Sequence, residues 1–346
     1  KVLSLVGSHM DVVLAETAKW KRDPFKLTVE GDELHGRGVT DCLGHVALTC
    51  LFMKQLAILK PDLKASVVVV LIANEENSDI LGIGIDELEK RGELQDLKHG
   101  PLYWLDSADF GPTMACCGAL VWELTCKGKL FHSGLPLKGM NSIELAMEAV
   151  RELQRWFHEE FKATHNEKQY KFDTGSNLKP TQISVPPGGF NQIPSECIVA
   201  GDIRVTPFHD QDKMQAAVER FVAELDVTKL SSSGYGEFHL PEENLKAKLT
   251  LTWKGHPYYG VAVDTESIGY KALYDAITKV RGKANPFSVG GSLPIIAGLK
   301  KSGFDVQMMG FGRMSSYHAE NEFGLLSEFA QGFQILEEIV STVNSS

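Results

Sequence analysis

The order of apolar runs along the chain predicts an α/β fold: a mostly parallel sheet flanked by helices, with a smaller α+β unit inserted into it. Three observations carry this reading. Unbroken apolar runs of strand length alternate with apolar residues at helical spacing up to about residue 118. From residue 120 the pattern changes to alternation of apolar and polar residues, in the order strand, helix, strand, strand, helix, strand. Past about residue 266, helix-then-strand character returns. The expected organisation is therefore 1–118 and 259–346 as two parts of one domain, with 119–258 as the insertion.

The elements follow in order. Residues 2–7 form an apolar strand, and 66–73 form a β-branched run of the kind covered on both faces. Between them, 45–59 carry apolar residues at helical spacing and stop before Pro61. A short helix is expected at 85–91 and a strand at 101–105. In the insertion, 120–126 alternate as an antiparallel strand would, a long helix covers 142–161, and strands follow at 181–185 and 197–205. A helix at 210–225, a flexible loop at 231–236 and a strand at 247–253 complete it, leaving one exposed sheet edge. The last part reads as a helix at 268–280, a strand at 307–311 and a helix at 323–343.

Composition narrows the function. The chain has 346 residues, is 43% hydrophobic and 23% charged, and carries a formal charge of −10 with no basic stripe, which argues against a nucleic-acid partner. No apolar run is long enough to span a bilayer, so no membrane partner is expected, and the first residues do not read as a secretory signal; a cytoplasmic protein is expected. Six cysteines (42, 50, 116, 117, 126 and 197) show no Cys-x-x-Cys spacing and read as reduced thiols. Gly82-Ile83-Gly84 lacks the third glycine of a dinucleotide fingerprint. His35, His45, His99 and His256 have no partner pattern and read as surface or capping residues.

The chemistry gathers where strands end. His9 and Asp11 close the first strand at i and i+2, a spacing that puts both on one face, at the sheet edge where open α/β folds bind ligands. Alone, the pair could be a polar turn. Asp41 follows Gly36-Arg37-Gly38-Val39-Thr40 at a helix start, where a plain N-cap is the alternative. Glu75 and Glu76 end the 66–73 run; adjacent carboxylates repel, and a metal would resolve the conflict. Asp106 ends the next strand, with Asp109 as a second candidate, and His318 lies in a polar cluster after the 307–311 strand. Two imidazoles and several carboxylates form a mixed N/O donor set suited to zinc, with cobalt or manganese as substitutes. The surplus of ligands over one ion favours two metals bridged by a carboxylate.

Together these motifs resemble the M20 family of dinuclear zinc peptidases and amidohydrolases. The residues that carry the resemblance are Ser8-His9-Met10-Asp11, Gly36 to Asp41, Asn74-Glu75-Glu76, Phe131-His132-Ser133-Gly134, Asn191-Gln192-Ile193-Pro194, Asp202-Ile203-Arg204 and His318-Ala319-Glu320-Asn321-Glu322, in family order over nearly the whole chain. The resemblance implies a zinc exopeptidase-like catalytic domain and an inserted ferredoxin-like lid and dimerisation domain. It implies hydrolysis of the N-acyl amide of an amino acid, N2-acetyl-L-ornithine being the expected substrate, with another M20 activity (desuccinylase, aminoacylase or dipeptidase) or a non-catalytic binding protein as the alternatives. It implies two Zn2+ as cofactors, with His9 and Asp106 as terminal ligands of one, Glu76 and His318 of the other, and Asp41 bridging. Asp11 would orient His9, and Glu75 would act as general base. His132 would reach across a homodimer to stabilise the oxyanion, a solvated loop histidine being the alternative. Arg204 and Asn191 would grip the substrate carboxylate, and Gly291, in Gly290-Gly291-Ser292, would lie near the substrate; a surface arginine on an edge strand and an ordinary turn are the other readings.

Two departures stand out. Where many members of the family have a basic residue and paired glycines after the bridging aspartate, this chain has Cys42-Leu43-Gly44-His45. The family also has a substantial segment before the His-x-Asp strand, whereas this sequence starts within that strand, so a fragment or processed form is expected.

Overall fold

The computed structural model describes residues 1–76, 83–232, 235–293 and 295–345. Gly82, and part of the loop expected at 231–236, lie outside them. The chain divides into two compact units: Lys1–Ala115 with Val261–Val289 and Pro294–Ser346, and Cys116–Gly260 with Gly290–Leu293.

The first unit is built on a seven-stranded sheet. Within it, Val2–His9 pairs in parallel with Ser66–Ile72 on one side and with Pro101–Leu105 on the other. Pro101–Leu105 pairs in parallel with Asp305–Met309, which meets Thr113–Cys116 antiparallel. The central strands are almost wholly buried: Pro101–Leu105 is buried at every position, and Trp104 and Tyr103 are 0% exposed. Ser66–Ile72 departs from expectation. It pairs with Val2–His9 at the end of the sheet, and Val67 to Leu71 are only half-buried. A β-branched run reports a preference for a pleated surface, not how many layers cover it.

Helices Leu43–Leu59, Ile268–Arg281 and Leu326–Ser345 pack over the sheet. Ala272, Leu273, Ala276 and Ile277 mesh with Ile335, Leu336 and Ile339 in one core with Leu3, Leu5 and Tyr103. The Ile268–Arg281 helix starts on Ser267, whose hydroxyl accepts from the Tyr270 N–H, and stops at Gly282 in the left-handed region. The region expected as one helix over 323–343 is instead a short strand, Phe323–Leu325, followed by the helix. That strand joins Glu33–His35 and Thr28–Glu30 in a small three-stranded sheet, with His35 opposite Phe323.

The second unit holds a four-stranded antiparallel sheet. Gly118–Lys127 lies between Lys248–Tyr258 and Glu196–Val205, and Asn177–Ser184 lies beyond the last. Alternate residues of Glu196–Val205 are buried, as a sheet with one covered face demands. Trp122, Leu124 and Cys126 face inward against helix Ser142–Glu160, whose Leu145, Ala149, Leu153 and Phe157 are buried. The N-caps Asn141 and Asp210 start this helix and Gln211–Glu224. None of the six cysteines, all among the described residues, is in a disulfide.

Candidate metal centre

Parallel strands present their carboxyl ends on one side of the sheet, and here three of them run into polar groups: His9, Glu75–Glu76 and Asp106, while His318 follows the fourth strand only nine residues past Met309. Val2–His9 has a register irregularity between Val6 and His9. Gly7 sits there at φ +99, and a Cβ at this position would lie 2.8 Å from the Trp104 ring, so only glycine fits. The irregularity delivers His9 to the edge, fully buried. Its Nδ1–H donates to the carbonyl of Asp11 at 2.9 Å, which leaves Nε2 facing carboxylates. Nε2 lies 2.9 Å from Asp41 Oδ1 and 3.7 Å from Asp106 Oδ1.

Asp41 faces both histidines. Its Oδ2 is 3.0 Å from His318 Nε2, which is also 3.2 Å from Glu76 Oε2. His9, Asp41, Glu76, Asp106 and His318 therefore form one connected cluster. Asp109 is apart from it, accepting from the Met314 N–H at 3.4 Å. Asp11 serves the cluster twice. Its carbonyl holds His9, and its carboxylate accepts from the Glu75 N–H (3.0 and 3.1 Å) and the Glu76 N–H (3.0 Å). His318 has φ +53, a conformation that costs a non-glycine residue on the order of 1–3 kcal/mol and persists only where surroundings hold it.

The electrostatics follow from crowding. Burial opposes charge on His9, but the hydrogen bonds and charges of Asp106 and Asp41 prevail and lift the imidazole to about 12. Hydrogen bonds to Asp41 and Glu76 lift His318 to about 10. Burial works against the Asp41 carboxylate, yet His318 and His9 hold it down at about 2. Burial pushes Glu75 up to about 9, with the charge of Asp106 adding to it, and burial also raises Asp106. Glu76 Oε1 is buried without a hydrogen-bond partner. One ligand atom from each of His9, Asp41 and Glu76 falls within 4.8 Å of the others. Mixed N/O donors, an unpaired buried carboxylate oxygen and carboxylates that need positive charge all fit a divalent cation.

The comparisons decide the family. The profile of peptidase family M20/M25/M40 matches residues 5–342. The chain belongs to this family. Among curated M20 relatives, an acetylornithine deacetylase of Arabidopsis thaliana is 46% identical over 344 residues, covering 99% of this chain and 78% of the relative. One of Dictyostelium discoideum is 44% identical over 353 residues, covering 100% and 79%. Solved structures share the fold at low identity. The dipeptidase Dug1p of Saccharomyces cerevisiae has a TM-score of 0.73 at 19% identity, covering 100% of this chain and 80% of that one. The metallo-carboxypeptidase Sso-CP2 of Sulfolobus solfataricus has 0.72 at 18%, covering 100% and 86%.

The remaining M20-type candidates lie in the second unit. His132 is exposed, and its Nδ1 accepts from the Gly134 N–H at 3.0 Å. A two-stranded ladder sets Gln192 opposite His132, and the Asn191 carbonyl accepts from the Ser133 N–H, so His132 and Asn191 sit together. Arg204 stands on an internal strand, not an edge one; it donates to Asp202 at 2.6 Å and to Ser292 at 3.3 Å. Gly291 accepts from the Cys117 N–H and has open space where a Cβ would stand.

Sequence reasoning missed three residues of the first unit. His45 is not at the surface but 0% exposed; its Nε2 accepts from the Phe311 N–H at 2.8 Å, and its Nδ1 lies 3.5 Å from Cys42 Sγ. Its place with Leu48, Thr49 and Phe52 on one helical stripe was the available signal. Tyr317 buries a hydroxyl without a hydrogen-bond partner; burial raises it, as do the charges of Asp106 and Asp41. Glu322, also 0% exposed, was read only as part of a motif.

Proposed function

We propose that this protein is a dinuclear zinc amidohydrolase that removes the acetyl group of N2-acetyl-L-ornithine, giving ornithine and acetate, a step of arginine biosynthesis. The observation that carries the substrate is the 44–46% identity to two acetylornithine deacetylases over essentially the whole chain. The observation that supports the chemistry is Asp41, placed between His9 and His318 with one oxygen toward each.

His9 and Asp106 would hold one zinc ion, Glu76 and His318 the other, and Asp41 both. When bound, the ions supply Lewis acidity, polarising the scissile carbonyl and the attacking water. Glu75 takes the proton of that water as it adds to the acyl carbon, then delivers it to the departing nitrogen as the C–N bond breaks. Burial and neighbouring carboxylates raise its proton affinity, so the positive charge of bound ions would be needed to keep it ionised as the base. Asp11 orients His9 through its carbonyl and fixes the Glu75–Glu76 backbone through its carboxylate.

The second unit would act as lid and dimerisation domain. His132 would stabilise the oxyanion in the active site of a second copy, Arg204 and Asn191 would bind the substrate α-carboxylate, and Gly291 would border it. No helix among the described residues is long and apolar enough to cross a membrane, which is compatible with a cytoplasmic site of action.

Another M20 activity is the second reading, because succinyl-diaminopimelate desuccinylases are also relatives, at 26–27% identity. A hydrolysis panel on zinc-loaded protein tests both. Acetylornithine should be turned over with the highest kcat/KM; preference for succinyl-diaminopimelate, acetylmethionine or a dipeptide would replace the substrate assignment. Metal uptake with no hydrolysis of any would point to a binding protein.

A further inference from the structure

We infer that the buried Glu322–Arg37 pair is the positioning device of the metal centre, fixing Asp41 and His318 at the separation one shared carboxylate requires. This inference rests on the metal-centre reading given above.

Glu322 is 0% exposed, and among the described residues its side-chain hydrogen bonds all go to residues 37–41. Oε1 accepts from the Thr40 N–H at 2.8 Å and from the Asp41 N–H at 3.1 Å. Oε2 accepts from the Gly38 N–H at 3.1 Å and from Arg37 Nη1 at 2.8 Å. Backbone N–H groups converging on one carboxylate form an anion cradle, with the Asp41 backbone as part of its wall. Gly38 makes the cradle possible: it has φ +90, and a Cβ there would lie 2.8 Å from Val12.

The other half of the device holds His318. Arg37 Nη2 donates to the His318 carbonyl at 3.4 Å while Nη1 holds Glu322. One planar fork thus ties the left-handed turn at His318 to the carboxylate that seats Asp41, a geometry lysine cannot reproduce. The small sheet pairing His35 with Phe323 keeps the two segments side by side. Because Arg37 and Glu322 cancel in charge, the clamp adds none to a centre already crowded with carboxylates. Glutamine at 322 would keep the shape but turn an N–H2 group toward N–H donors, so the loop carrying Asp41 must shift.

The test uses the whole chain, stripped of metal and titrated with Co2+ by calorimetry and visible absorption. Wild type should load two ions. Glu322→Gln should keep wild-type far-UV circular dichroism, yet bind the second ion about 10–100-fold more weakly, the usual effect of losing a group that orients a ligand. Its cobalt spectrum should change, and kcat should fall with KM nearly unchanged. Arg37→Lys should show the same loss to a smaller degree, and it carries the test if Glu322→Gln does not fold. Wild-type cobalt affinity and spectrum in the variant that folds overturn the inference, even if that variant is less stable. A wild type that takes up no cobalt overturns the metal centre itself; equal loading of wild type and variant overturns this inference alone.

Discussion

The carboxylate of Asp11 sits on the backbone N–H of Glu75, 3.0 and 3.1 Å from its two oxygens, while the carbonyl of the same residue holds His9 at 2.9 Å. One aspartate therefore registers the end of the first strand against the end of the second. Asp11→Asn would present an N–H2 group to N–H donors. Metal affinity and kcat should each fall by about 10–100-fold. Unchanged values in a metal titration and a kinetic assay would remove Asp11 from the centre.

Glu75 and Glu76 are neighbours with separable roles. Glu75→Gln should keep both metals and lower kcat at least about 100-fold, the scale of general-base assistance. Glu76→Gln should weaken metal binding instead, because Glu76 lies 3.2 Å from His318. Metal analysis of both purified variants decides; equal metal loss would mean the two roles are misassigned.

Metal uptake should release protons. His9, raised to about 12, and His318, raised to about 10, both carry a proton at neutral pH when no cation competes. Coordination needs neutral imidazoles, so full loading should displace at least about two protons, those of the two rings and any that the raised Glu75 carboxyl gives up, and apparent affinity should rise with pH. Calorimetry in buffers of different ionisation enthalpy counts them. Loading without proton release would contradict the ligand assignment.

His45 should make stability fall in mild acid. Burial holds its ring at about 4, below its ordinary 6.5. The unfolded chain takes up this proton near 6.5 and the folded chain only near 4. The stability of the neutral buried ring is thus fully present above about 6.5 and is lost as pH falls toward 4, by up to about 3 kcal/mol. His45→Gln keeps an acceptor for the Phe311 N–H but cannot titrate, so its urea midpoint should vary less with pH across this window. Parallel pH profiles for variant and wild type would refute the assignment.

His132→Ala should retain both metals and lose about 2–4 kcal/mol of transition-state stabilisation, the scale of one oxyanion donor. Mixed with Glu75→Gln subunits, it should regain part of the activity, because one site of the mixed dimer then has both an intact base and an intact histidine. No recovery after verified subunit exchange would place His132 in its own subunit's site or outside catalysis.

The centre was legible where a side chain's position follows from strand ends. His9, Glu76 and Asp106 each follow an apolar run, and parallel runs bring their carboxyl ends to one side of the sheet; His318, nine residues past Met309, was legible only through the motif it shares with the family. Glu322 was not, because its partners are reached through strands of three residues, Glu33–His35 and Phe323–Leu325, too short for any periodicity. His45 was misread because a histidine was judged by its lack of polar partners, not by the apolar stripe it shares with Leu48 and Phe52. Ser66–Ile72 looked central because its residues are β-branched, yet strand order, which composition does not encode, puts it at the end.

The link between Thr40 and Glu322 joins residues 282 positions apart, whereas His9 and Asp41 are 32 apart. Closing the longer loop is about three doublings harder, or about 2 kcal/mol of chain entropy. During synthesis the residues for His9, Asp41, Glu76 and Asp106 all emerge well before His318 does. An ion arriving early finds a partial ligand set that the C-terminal turn has yet to close. Were two ions bound as proposed, their site would be completed only when the C-terminal turn closes, and the rate of uptake of the second would report the arrival of the Phe323–Leu325 strand.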